Sequence, residues 1–133
     1  MGDGMSIQVG WVNEQQNTVH IAFQRGWRWD HLNAAIQRAD DLITSVPHTV
    51  HLLIDIRQAG GLPGDFITRA GDLFAQGKAR PNEGRKVVIG ASPLIRAGYS
   101  AFLKVYGSQM KNRAFLFAST LEDASRLLNG ASH

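Results

Sequence analysis

The chain has 133 residues, a length suited to one domain that buries roughly two thirds of the surface its unfolded form exposes. It contains no cysteine, which excludes thiol catalysis, disulfides and any cysteine-ligated zinc or iron–sulfur site. Lys and Arg number 14 and Asp and Glu 11, a formal charge of +3, and the basic residues are spread along the chain instead of forming a stripe, so nucleic-acid binding is not expected.

Positions 1–5 read as a disordered start or an expression remnant, and 6–130 as one domain. No apolar run reaches about 18 residues, so neither a signal peptide nor a transmembrane segment is expected and the location is expected to be cytoplasmic. Ile7, Val9 and Trp11 alternate with polar or small residues, Asn13 to Asn17 is polar, and Val19, Ile21 and Phe23 alternate again, the pattern of a β-hairpin. Asp30 is placed to cap a helix whose apolar side carries Leu32, Ala35, Ile36, Ala39, Ile43 and Val46, and Pro47 ends it. Val50 to Ile56 is an almost continuous apolar run, the signature of a buried, central parallel strand.

Arg57 to Gly64 is a loop leading to a second helix with Phe66, Ile67, Ala70, Leu73 and Phe74 on one side and Gly77 at its cap. The polar stretch Lys78 to Gly84 connects to a short strand, Val87 to Ile89. Ser92-Pro93 opens a third helix that carries Leu94, Ala97, Ala101, Phe102, Val105 and Tyr106. A strand from Ala114 to Phe117 follows, then a helix whose Ser119-Thr120-Leu121-Glu122 has capping-box spacing and whose apolar side is Ala124, Leu127 and Leu128. The layout is therefore α/β, in the order ββαβαβαβα: a mostly parallel, mixed five-stranded sheet with an antiparallel edge strand and helices on both faces.

That order, with the strings LLIDIRQAGGLPGDF (Leu52 to Phe66), RKVVIGASPLIRAGYSAFLKVY and FLFASTLEDASRLL, resembles the SpoIIAA-like (STAS) family and, within it, the small STAS/SEC14-like group. The resemblance implies a regulatory domain that docks other proteins, with nucleotide or apolar-ligand binding in some related domains. In the anti-sigma-factor antagonists of that family a phosphorylatable serine opens the helix after the central strand. Here Asp65 and Phe66 stand near that place and the first hydroxyl is Thr68, so the resemblance does not extend to that switch.

The candidate binding site is the loop at the carboxyl end of the central strand, Asp55, Arg57, Gly60, Gly61, Gly64 and Asp65, with Phe66 beyond it. Ligands of open α/β sheets gather there, although the string has neither the G-x-G-x-x-G spacing nor a Walker lysine, and the plainer reading is that Arg57 pairs with Asp55 or another surface acid while the glycines make the turn. Ser92 sits between strand and helix, where a nucleophile would stand, but the second glycine of a nucleophile elbow is missing and its capping role suffices. A hydrolase remains only a minor reading, and no catalytic residue is assigned. Trp27 and Trp29, among Arg25 and Arg28, suit either a partner surface or a cover for the core edge. His48 and His51 are too few for a metal site, and Asp40-Asp41 fall inside a helix, so no metal and no cofactor are expected. The leading expectation is a non-catalytic interaction domain with a protein partner or as a homodimer. The alternative is a carrier of a small apolar ligand or lipid between the second and third helices, lined by Phe66, Phe74, Phe102 and Tyr106.

Overall fold

The computed structural model describes residues 6–12, 14–60, 62, 66, 69, 73, 82–93, 95–97 and 115–128. They form one five-stranded sheet in the order β1 (Ile7–Trp11), β2 (Thr18–Phe23), β3 (Val50–Asp55), β4 (Glu83–Ile89) and β5 (Phe115–Ala118). β1 runs antiparallel to β2, and β2 through β5 are mutually parallel. The expected hairpin, central strand and mixed sheet are all present. Positions 1–5 and 130, and most of the expected second and third helices, lie outside the described residues; Phe66, Arg69 and Leu73, and Pro93 with 95–97, are helical where those helices were expected.

Alternation along the strands sends side chains to two cores. Val19, Ile21 and Phe23 of β2 and Val50, Leu52 and Ile54 of β3 point to one face, where they bury Leu32, Ala35, Ile36, Ala39 and Ile43 of helix α1 (Trp29–Thr44). Leu53, Val87, Ile89 and Ala118 point to the other face and meet Ala124 and Leu128 of the closing helix, Leu121–Leu128. Helix α1 packs on β1 and β2, whereas the closing helix packs on β4 and β5. Being central and covered on both faces is what makes β3 read as an unbroken apolar run. No helix among the described residues is long and apolar enough to cross a membrane.

Three local expectations are corrected. Helix α1 starts one residue before Asp30: Arg28 is the extended N-cap, its backbone N–H donates to Nδ1 of His31, and Asp30 pairs with the Arg28 guanidinium in the first turn. The closing helix is capped by Thr120, whose Oγ1 accepts from the Asp123 N–H, so the cap stands one residue after Ser119. β4 begins at Glu83, four residues before Val87, because its polar first half is paired by other means. Lys86 is buried there against Glu83, an i,i+3 ion pair that hydrophobic patterning does not reveal.

The start of β4 is also where the sheet is irregular. Val50 pairs with Glu83 and Leu52 with Lys86, so Gly84 and Arg85 both face His51 in a β-bulge. Nδ1 of His51 accepts the Arg85 N–H at 2.9 Å, and a Cβ on Gly84 would lie 2.3 Å from that nitrogen, which is why a glycine stands there. Burial, and then the Arg85 charge, lower the His51 pKa and keep the ring neutral and accepting.

Just before β4, Asn82 donates from Nδ2 to the carbonyls of Ile43, Val46 and His48 at 2.8, 3.0 and 2.9 Å, tying down the end of α1 and the chain that leaves it. Asn82→Ala is expected to cost about 1–3 kcal/mol, read as a lower urea midpoint at unchanged slope, because those carbonyls lose their donor. Asn82→Asp, which turns an acceptor toward three acceptors, is expected to cost at least as much. A wild-type midpoint in either variant would contradict the clamp.

Candidate functional site

β3 ends in a carboxylate on a strand that is otherwise apolar. Asp55 is 5% exposed and therefore needs full hydrogen bonding to stay ionised. It receives four hydrogen bonds. The backbone N–H and Nε of Arg57 donate to Oδ1 at 3.1 and 2.9 Å, and Nη2 of Arg57 donates to Oδ2 at 2.7 Å. Nε2 of His20, from the neighbouring β2, lies 3.2 Å from Oδ2.

Burial opposes the charged form of Asp55, but the Arg57 side chain and backbone, His20 and the Arg57 charge outweigh it and hold the pKa at about 2. Arg57 is correspondingly held more firmly protonated, first of all by its hydrogen bonds to Asp55. Since the carboxylate is ionised at neutral pH, the proton in the His20–Asp55 contact belongs to Nε2.

This clamp sets the turn that follows. Ala59 N–H closes on the Ile56 carbonyl at 3.3 Å, and Ile56 N–H reaches across to Ile89 O at 3.0 Å. Gly90, with φ of +96°, passes so close that a Cβ there would lie 2.8 Å from Cγ of Arg57 and 3.0 Å from its nitrogen. Only glycine admits both the conformation and the approach. Gly60, with φ of +78°, is covered by the aliphatic part of Arg25, 3.5 Å from where a Cβ would stand.

Arg25 joins this turn to the loop after β2. In that loop Trp27 packs edge-on to Phe23 at 5.1 Å, to Trp29 at 4.9 Å and to Phe66 at 5.7 Å, and Arg69 lies over the Trp29 ring at 4.2 Å. Phe66 and Phe23 are buried, Trp27 and Trp29 are half-buried, and Arg25, Arg57, Gly60 and Arg69 are exposed.

Two groups that sequence reading kept apart are therefore one surface: Asp55, Arg57 and Gly60 with Trp27, Trp29 and Phe66. Both indoles cover the core edge and still show a face. Gly61, Gly64 and Asp65 lie outside the described residues, as do Phe74, Phe102 and Tyr106. Ser92 is exposed at the end of β4, where its Oγ accepts the Ile95 N–H at 3.2 Å, so it caps the helical turn that follows; no hydrogen bond among the described residues links it to a histidine. His48 contacts the Gln16 carbonyl and His51 the bulge, and no metal-binding group occurs among the described residues. His20, Gly90 and Arg69 were missed. Only the need of a buried carboxylate for partners on an adjacent strand hinted at His20.

No family model matches the chain, and no curated protein matches it. Among solved structures, that of the anti-sigma factor antagonist SpoIIAA in its unphosphorylated form is similar to it, with a TM-score of 0.52 and 16% identity over 93% of this chain and 96% of that one. The chain therefore has the SpoIIAA-like α/β fold that its own strings resemble.

The Asp55 clamp carries a pH signature. Its stabilisation is complete above the ordinary carboxylate value of 3.8 and is lost as pH falls through about 2, because the unfolded chain takes up a proton that the folded site resists. About 2 kcal/mol is expected to disappear between roughly pH 5 and 2. Asp55→Asn is expected to remove this acid limb while costing about 1–3 kcal/mol at pH 7. Urea midpoints measured against pH check it, and parallel curves for the two proteins would refute the assignment. His51, neutral in the fold, contributes in a separate window that opens near pH 6.5.

Proposed function

We propose that the protein is a non-catalytic interaction domain of SpoIIAA-like type that docks a partner protein on the Arg25–Trp29 loop and the Arg57–Gly60 turn. The supporting observation is that the half-buried tryptophans and exposed arginine of the loop after β2 stand beside the Arg57–Gly60 turn that the Asp55 clamp locks. Trp and Arg are the residues that most often dominate protein interfaces, and a rigid base lowers the entropy lost on binding. The position, outside the carboxyl ends of parallel strands, is where such folds place their sites. SpoIIAA, the solved neighbour, is an antagonist of an anti-sigma factor, hence a protein that acts on another protein.

Docking here proceeds without a phosphoserine switch of the anti-sigma-factor-antagonist kind, since the sequence after the central strand offers Asp65 and Phe66 near the matching place and its first hydroxyl is Thr68. The partner site is on a soluble domain in the cytoplasm, and either a different protein or a second copy of the chain fills it. The carrier reading gains no observation, because the described one of its residues, Phe66, is packed into the main core.

Arg25→Glu and Arg69→Glu reverse exposed charges without touching the core, so both variants are expected to melt within a few degrees of wild type. A partner recovered from cell extract by the wild-type domain, or self-association seen by sedimentation, is expected to weaken at least tenfold in both. Arg38→Glu, on the exposed side of α1, is the control that retains it. Binding insensitive to the first two changes, or an apolar ligand retained in native mass spectrometry with no protein partner, would overturn the docking surface.

A further inference from the structure

A hollow lies at the far edge of the sheet, about 410 Å³ in volume, beside the carboxyl end of the outermost strand β5. Phe117 and Ala118 of β5 and Leu127 of the closing helix give it apolar walls, while Arg96, Arg126 and Asp123 supply its charges. Its size falls within the range of small-molecule clefts, and it sits where parallel α/β sheets collect ligands.

The charges are unequal. Arg126 is paired with Asp123. The guanidinium of Arg96 is 5.7 Å from the centroid of the Phe117 ring, and none of its N–H groups meets a hydrogen-bond acceptor among the described residues. The backbone beneath it is fixed, because Arg96 N–H bonds the Ser92 carbonyl at 3.0 Å in the turn capped by the Ser92 hydroxyl. A positioned arginine with an open donor fork next to an aromatic wall suits a planar anion that can stack and accept two parallel hydrogen bonds. Two arginines against one aspartate leave one positive charge for the ligand to balance.

We propose that this hollow binds a small aromatic monocarboxylate, with its carboxylate on Arg96, its ring against Phe117 and Leu127, and Arg126 closing the outer side. The site is separate from the docking surface and stands whether or not that reading holds.

The test is a ¹H–¹⁵N NMR titration of the full chain with benzoate, benzamide and inorganic phosphate as probes. Benzoate is expected to give saturable shifts centred on Ala118 and Leu127, with a Kd of about 0.1–1 mM, reasonable for so few atoms. Benzamide, lacking the charge, and phosphate, lacking the ring, are each expected to bind at least tenfold more weakly. Arg96→Gln and Arg126→Gln are each expected to weaken benzoate at least tenfold while leaving the rest of the spectrum unchanged. Because Arg126 is largely exposed, its variant keeps the test meaningful if Arg96→Gln fails to fold. Shifts that do not saturate, that centre elsewhere or that survive both substitutions would overturn the proposal, as would equal binding of benzamide or phosphate.

Discussion

The carboxylate of Asp55 is the constraint on which this end of the molecule depends. A strand buried on both faces has no room for an unpaired charge, and the penalty for one would be several kcal/mol. The charge is kept because the chain turns back at once: Arg57, two residues on, supplies three of the four hydrogen bonds, and β2 supplies the fourth through His20. Satisfying Asp55 thereby fixes the direction of the chain after β3. Gly90 can then lie against Arg57, Arg25 can cover Gly60, and the tryptophan loop acquires a fixed neighbour.

The two ends of the sheet use polar groups in different ways. At the amino ends of the parallel strands, Asn82, His51 and the Lys86–Glu83 pair spend their polar atoms on the chain itself, closing the tail of α1 and the bulge in β4. At the carboxyl ends the backbone is satisfied by the Asp55 clamp and the Ser92 and Thr120 caps, which leaves arginine heads and aromatic faces over. An asymmetry of this kind is expected of parallel α/β sheets, whose loops at the carboxyl ends are free to vary on a rigid support.

Much of the architecture was legible because burial writes a periodic pattern. The five buried positions of α1 and the central place of β3 follow directly from spacing. Errors arose where a polar group replaced an apolar one in the interior. Lys86 and the bulge glycine made the first half of β4 look like a connection; the α1 cap lies two residues before Asp30, at Arg28, and the closing-helix cap one residue after Ser119, at Thr120. The site was half legible. Asp55 and Arg57 are adjacent enough to be paired by inspection, but His20 is 35 residues away from Asp55 and depends on the register of β2 with β3, which no local pattern encodes.

The two proposed sites at the carboxyl ends share a short stretch of chain. The segment 89–92 connects them: Ile89 and Gly90 pack on the Arg57 turn, and Ser92 caps the turn that carries Arg96. Gly90 has a positive φ, and a side chain there would collide with Arg57, so only glycine lets the segment pass the turn this closely. Transmission between sites requires an element with two states that each ligand biases differently. A connector held in one state instead pre-forms the geometry at both ends, so little ordering is left for the moment of binding. On that physical ground the proposed docking rim and the proposed arginine-lined hollow are expected to be occupied independently.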